Sequence, residues 1–139
     1  KMKMFRTMDI NASALGAQRL RLDLIAANIA NANTTRTPEG GPYRRKVPVF
    51  AEELQQASDR YGLSGVRVLA VMEDQSPFRQ VYDPAHPDAN AEGYVLYPNV
   101  NIVNEMVNLM EAGRAYDANV TAFNMSKEMF KAALSIGKS

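Results

Sequence analysis

The sequence predicts a mainly α-helical protein with a small β-rich insert, in which two long terminal helices pair as an antiparallel, coiled-coil-like hairpin. All seven prolines lie between residues 38 and 98. The flanks 1–37 and 99–139 therefore lack the residue that costs about 3 kcal/mol inside a helix. Apolar residues in both flanks recur at helical spacings, whereas those in the middle alternate as in strands. We expect one discontinuous helical domain from the two flanks, and a β-rich or irregular middle segment, 38–98.

The N-terminal flank is expected to form one helix from Phe5 to Asn31, because asparagines, threonines and then Pro38 provide stop signals at its end. One apolar stripe, interrupted only by Arg19, follows the helical spacing: Phe5, Met8, Ala12, Leu15, Leu22, Ala26 and Ile29. A second stripe contains Ile10, Ala14, Ala17 and Leu24. Small residues recur along this helix, which would let a neighbouring backbone approach closely.

The C-terminal flank has a sharper periodicity, with apolar positions at alternating spacings of four and three. These positions, with Lys127 in the one gap, are Ile102, Met106, Leu109, Gly113, Tyr116, Val120, Phe123, Phe130 and Leu134. Asn101 is the expected N-cap, and Gly137 is expected just beyond the last turn. A helix from Asn101 to Ile136 would be about 54 Å long. A second stripe contains Val103, Val107, Met110, Ala118, Ala122, Met125, Met129 and Ile136.

The middle segment carries strand and turn signals. Residues 66–73 alternate between the two faces of a strand, and Val47, Val49, 78–82 and 94–97 also favour extended structure. Residues 39–42 predict a turn and 83–88 a loop. A short helix is expected between Glu52 and Arg60.

Each flanking helix is apolar on two stripes, but a hairpin buries only one face of each helix. The remaining stripes would form an exposed apolar patch of the kind that monomers avoid. Either the middle segment folds back over this patch, or other chains cover it in an open, heterologous assembly. A helical-hairpin adaptor that binds one partner is an alternative, and a small enzyme using acidic residues of the middle segment is another.

Composition argues against most other functions. The net charge is +1, which disfavours nucleic-acid binding, and the run 44–46 is interpreted as a solvated basic turn or strand edge. Cysteine is absent and His86 is the one histidine, so we expect no catalytic, metal or cofactor site. No apolar run reaches the roughly 20 residues of a membrane span. No cleavable signal peptide is expected, since Arg19, Arg21 and Asp23 interrupt the N-terminal apolar residues.

Several motifs resemble the signatures of bacterial flagellar rod and hook proteins. The N-terminal ones are ANIANANT at 27–34 and GPYR at 41–44. The C-terminal ones are GYVLYPNVN at 93–101, EMVNLMEA at 105–112 and RAYDANV at 114–120. The resemblance extends from Phe5 to the end of the chain. The loop 82–84 and the short middle segment are more similar to proximal-rod members than to the longer distal-rod or hook members.

This resemblance implies a structural subunit of the flagellar basal-body proximal rod, which polymerises through its terminal helices into a helical tube and transmits motor torque to the distal rod and hook. Implied partners are copies of the chain, other proximal-rod proteins, the rod–base adaptor, the distal rod and the flagellar type III export apparatus. The implied location is the periplasm-spanning rod. No enzymatic activity, nucleic-acid binding or membrane insertion is implied.

Two groups of residues are candidates for this role. The helix-exit joint is expected at Asn28, Asn31 and Asn33, where the first helix ends. The assembly interface is expected to use apolar residues of both flanks: Phe5, Met8, Leu15, Leu22, Ile29, Ile102, Met106, Leu109, Tyr116, Val120, Phe123, Phe130 and Leu134.

Overall fold

A computed structural model describes residues 2–53 and 65–138, with side chains described for 5–50 and 69–138. Two helices flank four strands, in the order α1 Met2–Ala30, β1 Lys46–Glu53, β2 Gly65–Glu73, β3 Arg79–Tyr82, β4 Tyr94–Tyr97 and α2 Ile102–Gly137. The predicted fold class, two long terminal helices with a small β-rich insert, is confirmed.

The two helices pack against each other in antiparallel directions. Near the start of α1, the ring of Phe5 lies 4.9 Å from that of Phe130. Two-thirds of the way along α1, a guanidinium nitrogen of Arg21 lies 3.9 Å from a carboxylate oxygen of Glu111. Residue numbers therefore rise along one helix as they fall along the facing one.

Small side chains lie at the most buried positions of the hairpin. Ala112 on α2 is fully buried, and Ala17 on α1 is 5% exposed. Among the described side chains of α1, Ile25 is the one large apolar residue that is buried to the same extent as Ala17. Alanine at these positions lets the helix backbones approach closely, so dispersion contacts are made along the pair.

The predicted start of α2 is confirmed, and the predicted end is wrong. Asn101 is the N-cap, and its side-chain oxygen accepts a hydrogen bond from the Asn104 N–H at 3.1 Å. Gly137 was expected beyond the helix but is its last residue. The cap is Lys138, which has a right-handed conformation and donates its N–H back to the Ser135 carbonyl. A left-handed glycine is therefore not needed at this end.

The strands form two separate antiparallel pairs. Strand β1 pairs with β2, so that Lys46 faces Glu73, with a bulge after Val49. Strand β3 pairs with β4, so that Arg79 faces Tyr97. All four predicted extended segments are therefore present. The short helix expected at Glu52–Arg60 is wrong at its first two residues, which pair in β1 with β2, and residues 54–60 lie outside the described chain.

The second apolar stripe of α2 is open to solvent. Its larger members are exposed: Val103, Val107, Met110, Met125, Met129 and Ile136. Among the described residues, β1 and β2 pack against α1 and no strand packs against α2. The described part of the middle segment therefore does not cover this stripe.

The second apolar stripe of α1 is not exposed as expected. Ala17 is buried, and Ile10, Ala14 and Leu24 are half-buried.

The close packing at Ala112 gives a testable prediction. We expect Ala112→Leu to lower the free energy of unfolding by about 1–3 kcal/mol, because the added methylenes have no space between the helices. The matched change Ala118→Leu, at an exposed position of the same helix, should stay within about 0.5 kcal/mol of the wild type. Urea denaturation followed by circular dichroism measures both, and equal midpoints for the two variants would contradict the packing argument.

Candidate functional site

The joint at the end of α1 is built around the buried side chain of Asn28. Its Nδ2 donates a hydrogen bond to the Lys46 carbonyl at 2.9 Å, and its Oδ1 accepts from the Lys46 N–H at 2.9 Å. The same Oδ1 also accepts the Tyr43 hydroxyl at 2.9 Å. The asparagine amide thus offers Lys46 a donor and an acceptor together, as a neighbouring strand would. This fastens the end of α1 to the first residue of β1.

The other two asparagines of the predicted joint differ in their contacts. Asn31 Nδ2 donates to the Ala27 carbonyl at 2.9 Å, while Asn31 Oδ1 accepts from the Thr34 hydroxyl at 3.2 Å. These bonds satisfy a carbonyl of the last helical turn and start the turn that leaves α1. Asn33 is exposed, and its side chain forms no hydrogen bond within the described residues.

A second fastening joins the middle segment to the start of α2. Arg45 Nε donates to Glu105 Oε1 at 2.5 Å, and an Arg45 terminal nitrogen lies 3.2 Å from Asp74 Oδ2. Glu105 is only 1% exposed, so this ion pair is shielded from water on the carboxylate side. Removing one partner of such a pair leaves an uncompensated buried charge, which is costly. The pair therefore strongly favours one position of the middle segment relative to the start of α2.

Asn99 completes this fastening with main-chain contacts. Its Nδ2 donates to the carbonyls of Asp74 at 2.9 Å and Ser76 at 3.1 Å. Its Oδ1 accepts from the Arg45 N–H at 2.8 Å. One side chain therefore holds together the start of β1, the chain after β2 and the segment that enters α2.

Electrostatics at the joint follow from these bonds. The Ser76 hydroxyl and N–H, at 2.6 Å and 2.9 Å from Asp74 Oδ1, and then the Arg45 guanidinium, hold the pKa of Asp74 below its ordinary value. Burial raises the pKa of the Tyr43 hydroxyl, with a smaller contribution from the Glu105 and Glu73 carboxylates. Both groups keep the protonation states that their hydrogen bonds require near neutral pH.

The loop between β3 and β4 is attached to the chain that leaves α1. Asp88 accepts the Thr35 hydroxyl at 2.7 Å and pairs with the Arg36 guanidinium. The Thr35 bond first, and then Arg36, lower the pKa of Asp88. His86 accepts the Asp88 N–H on Nδ1 at 3.0 Å, so this histidine shapes the loop.

The structure divides the predicted assembly residues into two groups. Most are half-buried: Met8, Leu15, Leu22, Ile29, Leu109, Tyr116, Val120, Phe123 and Phe130. Four are exposed: Phe5, Ile102, Met106 and Leu134. The exposed ones on α2 lie beside the exposed second stripe described above. We call the combined surface, Ile102, Val103, Met106, Val107, Met110, Met125, Met129, Leu134 and Ile136, the outer face of α2.

Sequence reasoning missed Arg45, Glu105 and Tyr43 as joint residues. Arg45 was interpreted as part of a solvated basic turn or strand edge, and Glu105 was identified only as part of the 105–112 motif. A signal was present, since a carboxylate in a strongly apolar helical repeat needs a buried partner if its position faces inward. The partner's identity depends on the path of the middle segment, which the local pattern does not specify.

Other kinds of site find no support in the described chain. No three His, Asp or Glu side chains within it are grouped to hold a metal ion. Neither helix, over the residues described, combines enough length and hydropathy to cross a membrane. The surface that stands out is the outer face of α2.

Long terminal helices with an uncovered apolar face define a subunit of a larger assembly, and comparison with known proteins identifies its class. Residues 8–36 match the family model described as flagella basal body rod protein. Residues 91–136 match the model described as flagellar basal body rod FlgEFG protein C-terminal. Both terminal segments are therefore those of flagellar basal-body rod proteins.

Similarity to curated relatives narrows the class over nearly the whole chain. The flagellar basal-body rod protein FlgC of Borreliella burgdorferi is 45% identical over 97% of this chain and 98% of the relative. The FlgC proteins of Bacillus subtilis and Salmonella typhimurium are 45% and 43% identical, over 99% of this chain and 100% of each relative. The chain belongs to the FlgC family of flagellar basal-body rod proteins.

The Asn28 hydrogen bonds can be tested against those of a neighbouring asparagine. We expect Asn28→Ala to lower the free energy of unfolding by about 2 kcal/mol or more, because it leaves buried partners on Tyr43 and Lys46 unsatisfied. Asn33→Ala, the same change at an exposed position, should stay within about 0.5 kcal/mol of the wild type. Urea denaturation at one protein concentration compares them, and similar losses would remove Asn28 from its central place in the joint.

The lowered pKa of Asp74 predicts a pH dependence. Because that pKa is lower in the folded than in the unfolded chain, the ionised carboxylate stabilises the fold above the unfolded value of about 4. This stabilisation is lost as the pH falls through the folded pKa. We expect Asp74→Asn to weaken the decline in unfolding free energy between about pH 5 and pH 2. Asp117→Asn, on the exposed surface of α2, is the matched control, and identical pH profiles for wild type and Asp74→Asn would contradict the assignment.

Proposed function

We propose that this chain is a structural subunit of the proximal rod, and that it polymerises through its terminal helices into a helical tube that transmits motor torque to the distal rod and hook. The observation that carries the proposal is the outer face of α2, which runs along a helix of 36 residues, or about 54 Å. Membership in a family of rod proteins supplies the kind of assembly in which such a face is covered.

The exposed side chains on this face are large enough to drive association. Met110 is 62% exposed, Met129 65% and Ile136 76%. Covering a side chain of this size fully is worth about 1.5–3 kcal/mol, less the cost of ordering it. Methionine is flexible and adapts to irregular partner surfaces, which suits a face that meets neighbours of more than one sequence.

The joint supports a role in transmitting torque. A helix is stiff because each turn is hydrogen-bonded to the next. In the hairpin, two such helices lie side by side, so the pair is stiffer than one helix alone. The joint then connects the hairpin to the middle segment at two places, through Asn28 at the end of α1 and Glu105 at the start of α2. A load applied to the helices would therefore reach the middle segment through short polar contacts instead of a flexible linker.

The interface combines the outer face of α2 with the half-buried residues of the two apolar stripes, which hold the hairpin in shape for assembly. Partners are copies of this chain, the other proximal-rod proteins, the rod–base adaptor and the distal rod. The chain reaches the basal body through the flagellar export apparatus, and its role there is structural.

A substitution on the outer face separates assembly from folding. We expect Met129→Asp to abolish polymer formation and motility in cells that depend on this chain, with its helix content and secretion retained, because a charge on the face opposes its burial. Ala91→Asp adds the same charge at an exposed position of the loop between β3 and β4, away from this face, and is the matched control. Leu109→Asp or Phe123→Asp should also block assembly, with an added loss of hairpin stability because both residues are half-buried.

The measurements are sedimentation of the purified chain, electron microscopy of basal bodies, and detection of the secreted chain. Normal rods with Met129→Asp would contradict the proposal. Discrete one-to-one complexes with another protein, in place of an open polymer, would favour the helical-hairpin adaptor.

A further inference from the structure

One buried carboxylate at the joint is only partly paired. Glu105 Oε1 bonds to Arg45, whereas Oε2 is buried and has no hydrogen-bond partner in the described part of the chain. Buried polar atoms in native proteins almost always have a partner, and an ionised oxygen without one is costly. This oxygen can therefore accept a further hydrogen bond, from water in the cavity beside it or from a donor on another chain.

A polar cavity of about 450 Å³ lies beside this carboxylate, and Glu105 forms part of its wall. Arg45, Asp74 and Glu105 give the lining one positive and two negative charges, a net charge of −1. Asn104 and Asn108 line the same cavity, and their side-chain amides form no hydrogen bond within the described residues. The lining suits one cationic group that donates several hydrogen bonds, and a guanidinium or an ammonium has this chemistry.

Arg19 on α1 carries a guanidinium, which is a cation of the required kind. Arg19 is exposed, and within the described chain it forms no ion pair or hydrogen bond, even with Asp23 four residues on. Its exposed neighbours on the same side of α1 include the small residues Ala12, Gly16 and Ala26, from which its side chain projects, and the carboxylate of Asp23 one turn on. When another helix covers this surface, the guanidinium must meet an anion or lose its hydration without compensation.

Arg19 does not reach the cavity of its own chain. The contact between Arg21 and Glu111 fixes the register of the hairpin, which places Glu105 level with the last turn of α1. Arg19 is therefore about 12 Å away along the axis, and it faces solvent. A second copy, displaced along the assembly, brings the two groups together.

We propose that Arg19 of one copy inserts into the Glu105 cavity of a second copy and donates to Glu105 Oε2, with the amide oxygens of Asn104 and Asn108 as further acceptors. The inference rests on the proposed polymerisation and names one contact within it. The two surfaces are different patches of the molecule, so the contact is heterologous and propagates into an open assembly. Entry requires the rim of the cavity to move by a side-chain rotation, since Oε2 is buried in the single chain.

The absence of cysteine allows the contact to be mapped by cross-linking. A chain with Gly16→Cys, one turn from Arg19, is mixed with a chain carrying Val107→Cys at the cavity, and the sedimented polymer is treated with a short bis-maleimide. We expect this pair to cross-link at least about tenfold more than Gly16→Cys with Thr121→Cys, an exposed position elsewhere on α2. Polymer with equal cross-linking at both positions would overturn the contact but not the proposed function. Failure of the chain to polymerise at all would overturn both.

Charge substitutions measure the same contact without cysteines. We expect Arg19→Gln to raise the protein concentration needed for polymer formation about tenfold, which corresponds to the loss of one charge-assisted contact. Arg114→Gln, at an exposed arginine of α2, is the matched control and should have a much smaller effect. Equal effects of the two variants would contradict a specific site for Arg19.

The cavity can also be tested in the single chain, independently of assembly. Ethylguanidinium chloride is added to dilute isotope-labelled protein, and the amide resonances of 101–108 are followed by nuclear magnetic resonance. We expect saturable shifts of the Asn104 and Asn108 side-chain amides, and none with sodium chloride at the same ionic strength. Asn108→Asp should tighten the binding, whereas Asn124→Asp, an exposed position on α2, should not. Equal responses to the two salts would overturn the cavity as a cation site.

Discussion

Two helices of 29 and 36 residues make up nearly half of this 139-residue chain, and this proportion determines what the rest of the chain can do. An antiparallel pair buries the facing side of each helix and nothing more. Two two-stranded sheets are too small to enclose the remainder, and β1 and β2 lie against α1. Apolar surface on α2 therefore remains exposed in the described part of the chain.

The polar joint answers a different requirement. A two-stranded sheet has little stability of its own, so the middle segment needs fixed attachments to keep one orientation relative to the hairpin. One attachment is made by Asn28, whose amide forms hydrogen bonds with the Lys46 main chain as a neighbouring strand would. The other is the ion pair between Arg45 and Glu105. Polar contacts of this kind are directional, whereas apolar packing alone would allow the segment several orientations.

The sequence was sufficient to predict the helices and strands, but it was not sufficient to predict the contacts between them. Proline placement, helical periodicity and strand alternation predicted both helices and all four extended segments, because these signals are local. The Arg45–Glu105 pair was missed because it joins residues 60 positions apart, and its geometry depends on the path of the chain between them. The exposure of the second α1 stripe was wrong for a related reason, since two chemically similar stripes do not reveal which one faces the partner helix. Asn28 was identified from its motif, but its contacts with Lys46 and Tyr43 required the structure.

The separation between apolar hairpin and polar joint also explains why the charged residues stand where they do. On the hairpin, charge in the apolar stripes is limited to Arg19 and Lys127, and each would oppose the burial of its stripe in a closed monomer. At the joint, Asp74 and Glu105 pair with Arg45, and in the adjoining loop Asp88 pairs with Arg36. Glu105 has bonding capacity left after its arginine is bound. In the proposed contact, Arg19 of one copy and Glu105 Oε2 of another would neutralise each other, and this would add specificity of register to an association that apolar side chains alone would leave loosely defined.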